Sequence, residues 1–315
     1  MEKLSDEDIS VRAAKHEDLE LLISLHERGF PLSTAVVKAA AATNEKLDIL
    51  IWLRDHGIKC NIAGVTAAKE GRLAFLCQLH AAGFQCARVA CGEHLDVLQW
   101  AREHGCPWDE EAYANMAESG NLEVLQWARE HGCPWDENTC TELAQNGHLE
   151  VLQWAREHGC PWDEMTCTRS AREGHLEVLQ WAHEHGCPWD VYTCALAARG
   201  GHLEVLQWAR SQGCPWDENT CANAAYAGSL EILKWARELG CPWDERTCAK
   251  AAAGGQLAVL QWAREQGCPW DSWTCAYATL GGHLEVLQWA REHGCWWDKR
   301  TRDNAALIGY TEVLQ

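Results

Sequence analysis

Residues 136–162 read DENTCTELAQNGHLEVLQWAREHGCPW. Asp136 follows Pro134-Trp135 and is placed to cap a helix N-terminus, with Glu137 favouring its positive end. Cys140, Leu143 and Ala144 fall at i, i+3 and i+4, one apolar stripe on a helical period. Gly147 then ends that helix as a C-cap glycine does. Leu149, Val151, Leu152, Trp154 and Ala155 give a second apolar face, while Glu150, Arg156 and Glu157 are expected to point away from it. Gly159 closes the second helix, and Pro161 prevents its continuation. The stretch therefore predicts two short helices. Such a hairpin cannot bury its face alone, but stacked copies share a continuous core.

Copies are present in both directions. Gly-Cys-Pro-Trp-Asp recurs at Gly105, Gly132, Gly159, Gly186, Gly213, Gly240 and Gly267, with Gly-Cys-Trp-Trp-Asp at Gly294, each step being 27 residues. Upstream the pattern is degenerate but keeps its register. Gly29, Gly57 and Gly83 take the glycine slot, with Leu19, Leu47 and Leu73 ten residues before each. The step from Gly83 to Gly105 is only 22 residues, so one loop is expected to be shortened there. The expected organisation is one array, degenerate over residues 1–92 and regular over 93–315. Its last unit starts at Asp298 and breaks off within a predicted helix at Gln315, as a C-terminal truncation would.

With the register set, the repeat resembles the ankyrin repeat family. Asn146-Gly147-His148-Leu149-Glu150-Val151-Leu152, with Gly159 ten residues after Leu149, is similar to that family's N-G-H-L-E-V-V…G core. Ala144 matches its helix-one alanine, and the same core returns at Gly174–Leu179, Gly201–Leu206 and Gly282–Leu287. The unit is shorter than the family's. The missing residues lie where ankyrin repeats carry a β-hairpin, so Cys160-Pro161-Trp162-Asp163 is expected to be a tight loop instead. The resemblance implies an all-α, ankyrin-like solenoid of helix-turn-helix repeats, and a scaffold or adaptor role in protein binding.

Composition narrows the function further. Length alone would suggest about two ordinary domains, but 19 Trp beside 3 Phe, and 18 Cys, mark one segment copied many times. A net charge of −19 opposes a polyphosphate partner, which binds through released counterions at basic residues. No apolar run reaches the length a membrane span needs, and the charged N-terminus lacks a signal-peptide core. Neither a nucleic-acid nor a membrane partner is expected. The expected setting is the reducing cytosol or nucleus, where structural disulfides are rare, and the expected state is a monomer.

Two residue columns suggest chemistry. Cys-x6-Cys recurs in six units (Cys133/Cys140 to Cys268/Cys275), and a histidine precedes the loop cysteine at His104, His131, His158, His185 and His293. Thiolate and imidazole could bind zinc, but Gln212, Leu239 and Gln266 fill the histidine slot elsewhere, so packing is the expected role and no cofactor is expected. Tryptophans run in a helix column (Trp100 to Trp289) and a loop column (Trp108 to Trp297). A base-stacking track would need a basic groove. Indoles bridging neighbouring units are the better reading. The Gly-His-Leu histidines, such as His148, are expected to stabilise the turn. No nucleophile elbow, P-loop, dinucleotide fingerprint or HExxH motif occurs, so no enzyme is expected.

What remains are slots that differ between copies, two, six and nine residues after each loop Asp. They hold Asn138 and Glu142, Met165 and Arg169, Tyr192 and Leu196, then Asn219, Asn223 and Tyr226. Arg246 and Lys250 follow, then Trp273 and Tyr277. They lie off the Cys-Leu-Ala stripe, on the side of helix one that lines the concave surface in ankyrin-like stacks. Aromatics and Arg are enriched at interaction hot spots, so these residues are the expected protein-binding face. The alternatives are a spacer whose varied slots are drift, or a metal-loaded Cys/His protein.

Overall fold

A computed structural model describes residues 6–16, 18–43, 47–84, 94–106, 110–296, 298–299 and 301–302. Trp108, Trp297, the 92/93 boundary and the final unit beyond Arg302 lie outside the described residues. Among those described, all 21 elements are helices and none is a strand. The chain divides into two compact units, Met1–Thr139 and Cys140–Gln315.

In the first unit the short helices Asp6–Lys15, Thr34–Thr43, Asn61–Lys69 and Glu110–Ala117 are first helices of the repeat. The second helices are Leu19–Glu27, Leu47–Asp55, Leu73–Ala81, Leu95–Glu103 and Leu122–Glu130. Their starts at Leu19, Leu47, Leu73 and Leu95 are the leucines that set the register. The helix Glu137–Gln145 crosses the boundary, and Leu149–Glu157 is its second helix. The second unit continues with five complete hairpins. Their first helices are Glu164–Glu173, Val191–Gly200, Glu218–Ala227, Glu245–Ala253 and Ser272–Leu280. Their second helices are Leu176–Glu184, Leu203–Ser211, Leu230–Glu238, Leu257–Glu265 and Leu284–Glu292. Within the first unit Asp6–Lys15, Thr34–Thr43 and Asn61–Lys69 pack side by side, and within the second so do the first helices from Glu164–Glu173 to Ser272–Leu280.

The starts of the later first helices and the stops at glycine have local causes. The Asp163 carboxylate accepts the Met165 amide at 2.9 Å, and Asp190, Asp217, Asp244 and Asp271 cap their helices alike. Gly147 adopts φ 77° and Gly159 φ 83°, left-handed values that let the chain leave each helix without a Cβ clash. Cys160-Pro161-Trp162-Asp163 forms no strand, the tight loop expected where a hairpin is missing.

The core is a repeated layer. Cys167, Ala171, Leu179 and Ala182 are completely buried, and Val178, Cys187 and their equivalents in later repeats nearly so. In the second unit the loop tryptophan of one repeat meets the helix tryptophan of the next edge to face: Trp162–Trp181 at 5.8 Å, and likewise Trp189–Trp208, Trp216–Trp235, Trp243–Trp262 and Trp270–Trp289. The indoles are half-buried bridges between neighbours, as expected from their spacing.

Arg156 lies off the second apolar face, as its spacing predicts, and makes a contact the spacing does not show: its guanidinium lies over the Trp162 ring at 4.0 Å and donates to the Cys160 carbonyl. Arg210, Arg237 and Arg264 do the same with Trp216, Trp243 and Trp270. A flat cation on an indole face covers the outer side of the seam that the next repeat covers from within. The Gly-His-Leu histidines also reach further than their own turn. His175 bonds the carbonyl of Gln145 at 2.9 Å and His283 that of Ala253 at 3.1 Å, both in the preceding repeat. A first helix leaves its last carbonyls unpaired, and the imidazole of the next copy fills one.

Candidate binding face

The cysteine column has a structural role. Every described cysteine is a free thiol, and all but Cys77 are buried. The close pairs are not equivalent positions in adjacent repeats but Cys-x19-Cys partners, such as Cys167 with Cys187. Cys187 donates to the Asp163 carbonyl at 3.3 Å, tying one loop to the previous one. The neighbouring Cys187 thiol and then burial push the Cys167 thiol well above its ordinary pKa, and Cys140, Cys194, Cys221, Cys248 and Cys275 follow suit beside their own partners. These are protonated packing groups rather than nucleophiles. Among the described residues no three His, Cys, Asp or Glu side chains come together as a metal site.

The loop-side histidines cap second helices. The Nδ1 atoms of His104, His131, His158, His185 and His293 sit 2.7–2.8 Å from the carbonyl of the tryptophan four residues earlier. His131, His185 and His293 stack on that tryptophan's ring. The shallow grooves between second helices, about 300 Å³ at Gln153, Arg156, Trp181 and His185, are thus walled by side chains the seam already uses.

The varied slots behave differently. The spacing two, six and nine after the cap is i, i+4, i+7, one face of a helix. The intervening Thr, Cys and Ala positions turn inward and are buried. Asn138 is exposed beside its own cap Asp136, to which it donates at 2.8 Å. Glu142, Met165, Arg169, Leu196, Asn219, Asn223, Tyr226, Lys250 and Tyr277 are half-buried, and Arg246 is exposed. Tyr192 is 57% and Trp273 40% exposed, high for aromatic rings in an otherwise packed repeat. None of the thirteen residues is in the core.

Several of them touch across helices. The Arg199 guanidinium lies 4.4 Å from the Tyr226 ring centre, and the Lys250 ammonium 5.9 Å from the same ring. Three successive first helices thus meet at one phenol. Arg246 pairs with Asp244 at 2.7 Å and Glu218 at 2.6 Å, which raises its pKa and, after the backbone amide, lowers that of Glu218. Trp273 stacks on Tyr277 at 5.2 Å within one helix, and Leu280, 59% exposed, extends their stripe by a turn. Arg199 and Leu280 stand in the nine-after slot, on the face that periodicity pointed to but outside the thirteen residues expected there. The threonine column was missed altogether. Thr139, Thr166, Thr220, Thr247, Thr274 and Thr301 are fully buried with no hydrogen-bond partner for their hydroxyls, and only their strict recurrence signalled them.

Against this geometry the chain was compared with known proteins. Neither a protein-family description nor a curated protein matches it. Among solved structures, it is similar to the crystal structure of the human ASB11 ankyrin repeat domain, at 16% identity over 50% of this chain and 84% of that one, with a TM-score of 0.40. The similarity is to an ankyrin repeat domain. The chain's own repeat shows paired helices, left-handed glycines such as Gly147, Gly174 and Gly201 at inter-helix turns, and first helices packed side by side within each unit.

Proposed function

We propose that the chain is a non-catalytic scaffold or adaptor that holds a protein partner on the first-helix face of its repeats. One observation carries the reading. Constant residues of the repeat are committed to core, cap or seam, whereas the slots that vary share one face and include exposed Tyr192, Trp273 and Leu280. Large apolar side chains left on a surface mark interaction sites. The buried column thiols have no arrangement of an activated nucleophile, and the carboxylates recur as caps. This favours binding over catalysis. Free buried thiols favour a reducing compartment, cytosol or nucleus.

The test is a pull-down with the purified chain and a variant carrying Tyr192→Ala, Trp273→Ala and Tyr277→Ala. Captured proteins should be lost with the variant while its helical circular dichroism persists. An unchanged set of captured proteins would mean that the varied slots are drift and overturn this face as the binding site.

A further inference from the structure

Over residues 163–281 the varied slots of the first-helix face carry a charge opposite to that of the protein, whereas Glu142 in the repeat before is acidic. Residues 163–281 hold fifteen Asp and Glu against nine Lys and Arg. The three varied slots of the five complete repeats in that span are fifteen positions. They hold Arg169, Arg172, Arg199, Arg246 and Lys250, and no carboxylate. Of the other four bases, Arg210, Arg237 and Arg264 lie on loop tryptophans at the opposite side of the hairpin. The acids are mainly helix caps, first-turn glutamates and second-helix glutamates. Charge has been sorted by face.

The cations on this face are also unevenly satisfied. Arg246 is held by Asp244 and Glu218, and Arg172 by Glu173 at 3.4 Å. Among the described residues, Arg169, Arg199 and Lys250 have no carboxylate within 4 Å. Arg199 and Lys250 instead share the Tyr226 ring. Two cations on one ring repel each other, and the ring's quadrupole offsets only part of that. An incoming carboxylate would relieve it. Next along the face, the Trp273–Tyr277–Leu280 stripe offers an apolar seat.

We propose that the partner segment is an acidic peptide. Its carboxylates would meet Arg169, Arg199 and Lys250, and a bulky apolar side chain would sit on Trp273 and Tyr277. This rests on the protein-binding reading above and names the chemistry of that partner. Opposite charge at the face speeds encounter and selects partners. The acidic remainder of the surface opposes a long polyanion, which favours a short acidic peptide over nucleic acid.

The test uses fluorescence anisotropy with three labelled probes: a twelve-residue Glu/Asp-Gly peptide with one Phe, its Gln/Asn counterpart, and a twelve-nucleotide oligothymidine. The acidic peptide should bind, weaken at least tenfold between 50 and 300 mM salt, and weaken at least tenfold with Lys250→Glu. Arg169→Glu, away from the Tyr226 stack, should weaken it too if Lys250→Glu fails to fold. The neutral peptide should bind at least tenfold more weakly. Equal binding of both peptides, no binding of either, or indifference to both charge reversals would overturn the proposal. Tighter binding of the oligonucleotide would overturn it in favour of nucleic acid. If the acidic peptide fails while the triple alanine variant still loses its captured proteins, the binding face stands and only the acidic partner falls.

Discussion

The imidazole Nε2 of His175 lies 2.9 Å from the carbonyl oxygen of Gln145, thirty residues earlier, and its ring covers Gly147. The glycine is therefore needed twice. Its φ of 77° excludes most side chains, and a Cβ there would come within 2.8 Å of the ring. Gly159 is needed once: its φ is 83° but nothing lies within 4 Å of its would-be Cβ.

This pair gives a double-mutant test. Gly159→Ala should destabilise by about 1 kcal/mol, the cost of a left-handed alanine. Gly147→Ala should cost more, because the staple is also displaced. His175→Ala alone should cost about 1 kcal/mol through the lost hydrogen bond. In the Gly147→Ala, His175→Ala double variant the two losses should be less than additive. Urea denaturation of the four proteins checks this, and strict additivity would mean that ring and glycine are independent.

Threonines of one column should respond with opposite signs. The Thr166 hydroxyl is buried without a partner, so Thr166→Val removes an unsatisfied group and should raise stability by up to about 1 kcal/mol. The Thr193 hydroxyl pairs with that of Thr168 at 3.2 Å, so Thr193→Val strands a buried partner and should lower it by about 1 kcal/mol. Thermal melts of the two variants would read the difference directly.

The seam cation is replaceable by another flat one. His183 stands where other repeats have Arg, and its ring stacks on Trp189 at 3.7 Å. Arg210→His should therefore keep most of the packing on Trp216, whereas Arg210→Ala loses both the ring contact and the bond to the Cys214 carbonyl. The expected cost for alanine is about 1–2 kcal/mol. Equal losses for both variants in denaturant titrations would remove the ring contact from the account.

The thiols predict a pH limit. The folded chain holds the Cys140, Cys167, Cys194, Cys221, Cys248 and Cys275 thiols above their ordinary pKa, through the neighbouring thiol first and burial second. In the unfolded chain they ionise near pH ~8.5. Below that value both states keep the protons and stability is unaffected. Above it the unfolded state releases protons that the folded state retains, so stability falls as pH rises. The slope is about 1.4 kcal/mol per pH unit for each thiol. Denaturation at pH 7.5 and pH 9.5 should show the loss, and Cys167→Ala should reduce the slope by one thiol's share. A flat profile across this range would contradict the burial of these protons.

The period, the helix pairs and the cap at Asp136 were legible because they depend on neighbours within a turn or two. So was the packing role of the cysteines, since substitution between copies exposes what a slot tolerates. The contact of Arg156 was not legible, because helical periodicity places its Cα off the apolar stripe and says nothing of its long side chain, which lies on Trp162 in the following loop. His148 and its equivalents were assigned to their own turn, yet the bond of His175 spans thirty residues. Cys167 meets Cys187, and Arg199 and Lys250 meet at Tyr226, for the same reason: each contact joins residues that only stacking brings together.

By itself, then, the sequence determined the repeat unit, where each helix begins and ends, and which positions are free to vary. Tertiary structure alone decided which side chains staple one copy to the next and which of the free positions meet across helices, as Arg199 and Lys250 do at Tyr226. Local backbone preferences act over three or four residues. Hydrogen bonds, ring contacts and electrostatic fields act through space, and in a stacked repeat the nearest neighbour in space lies about one repeat away along the chain.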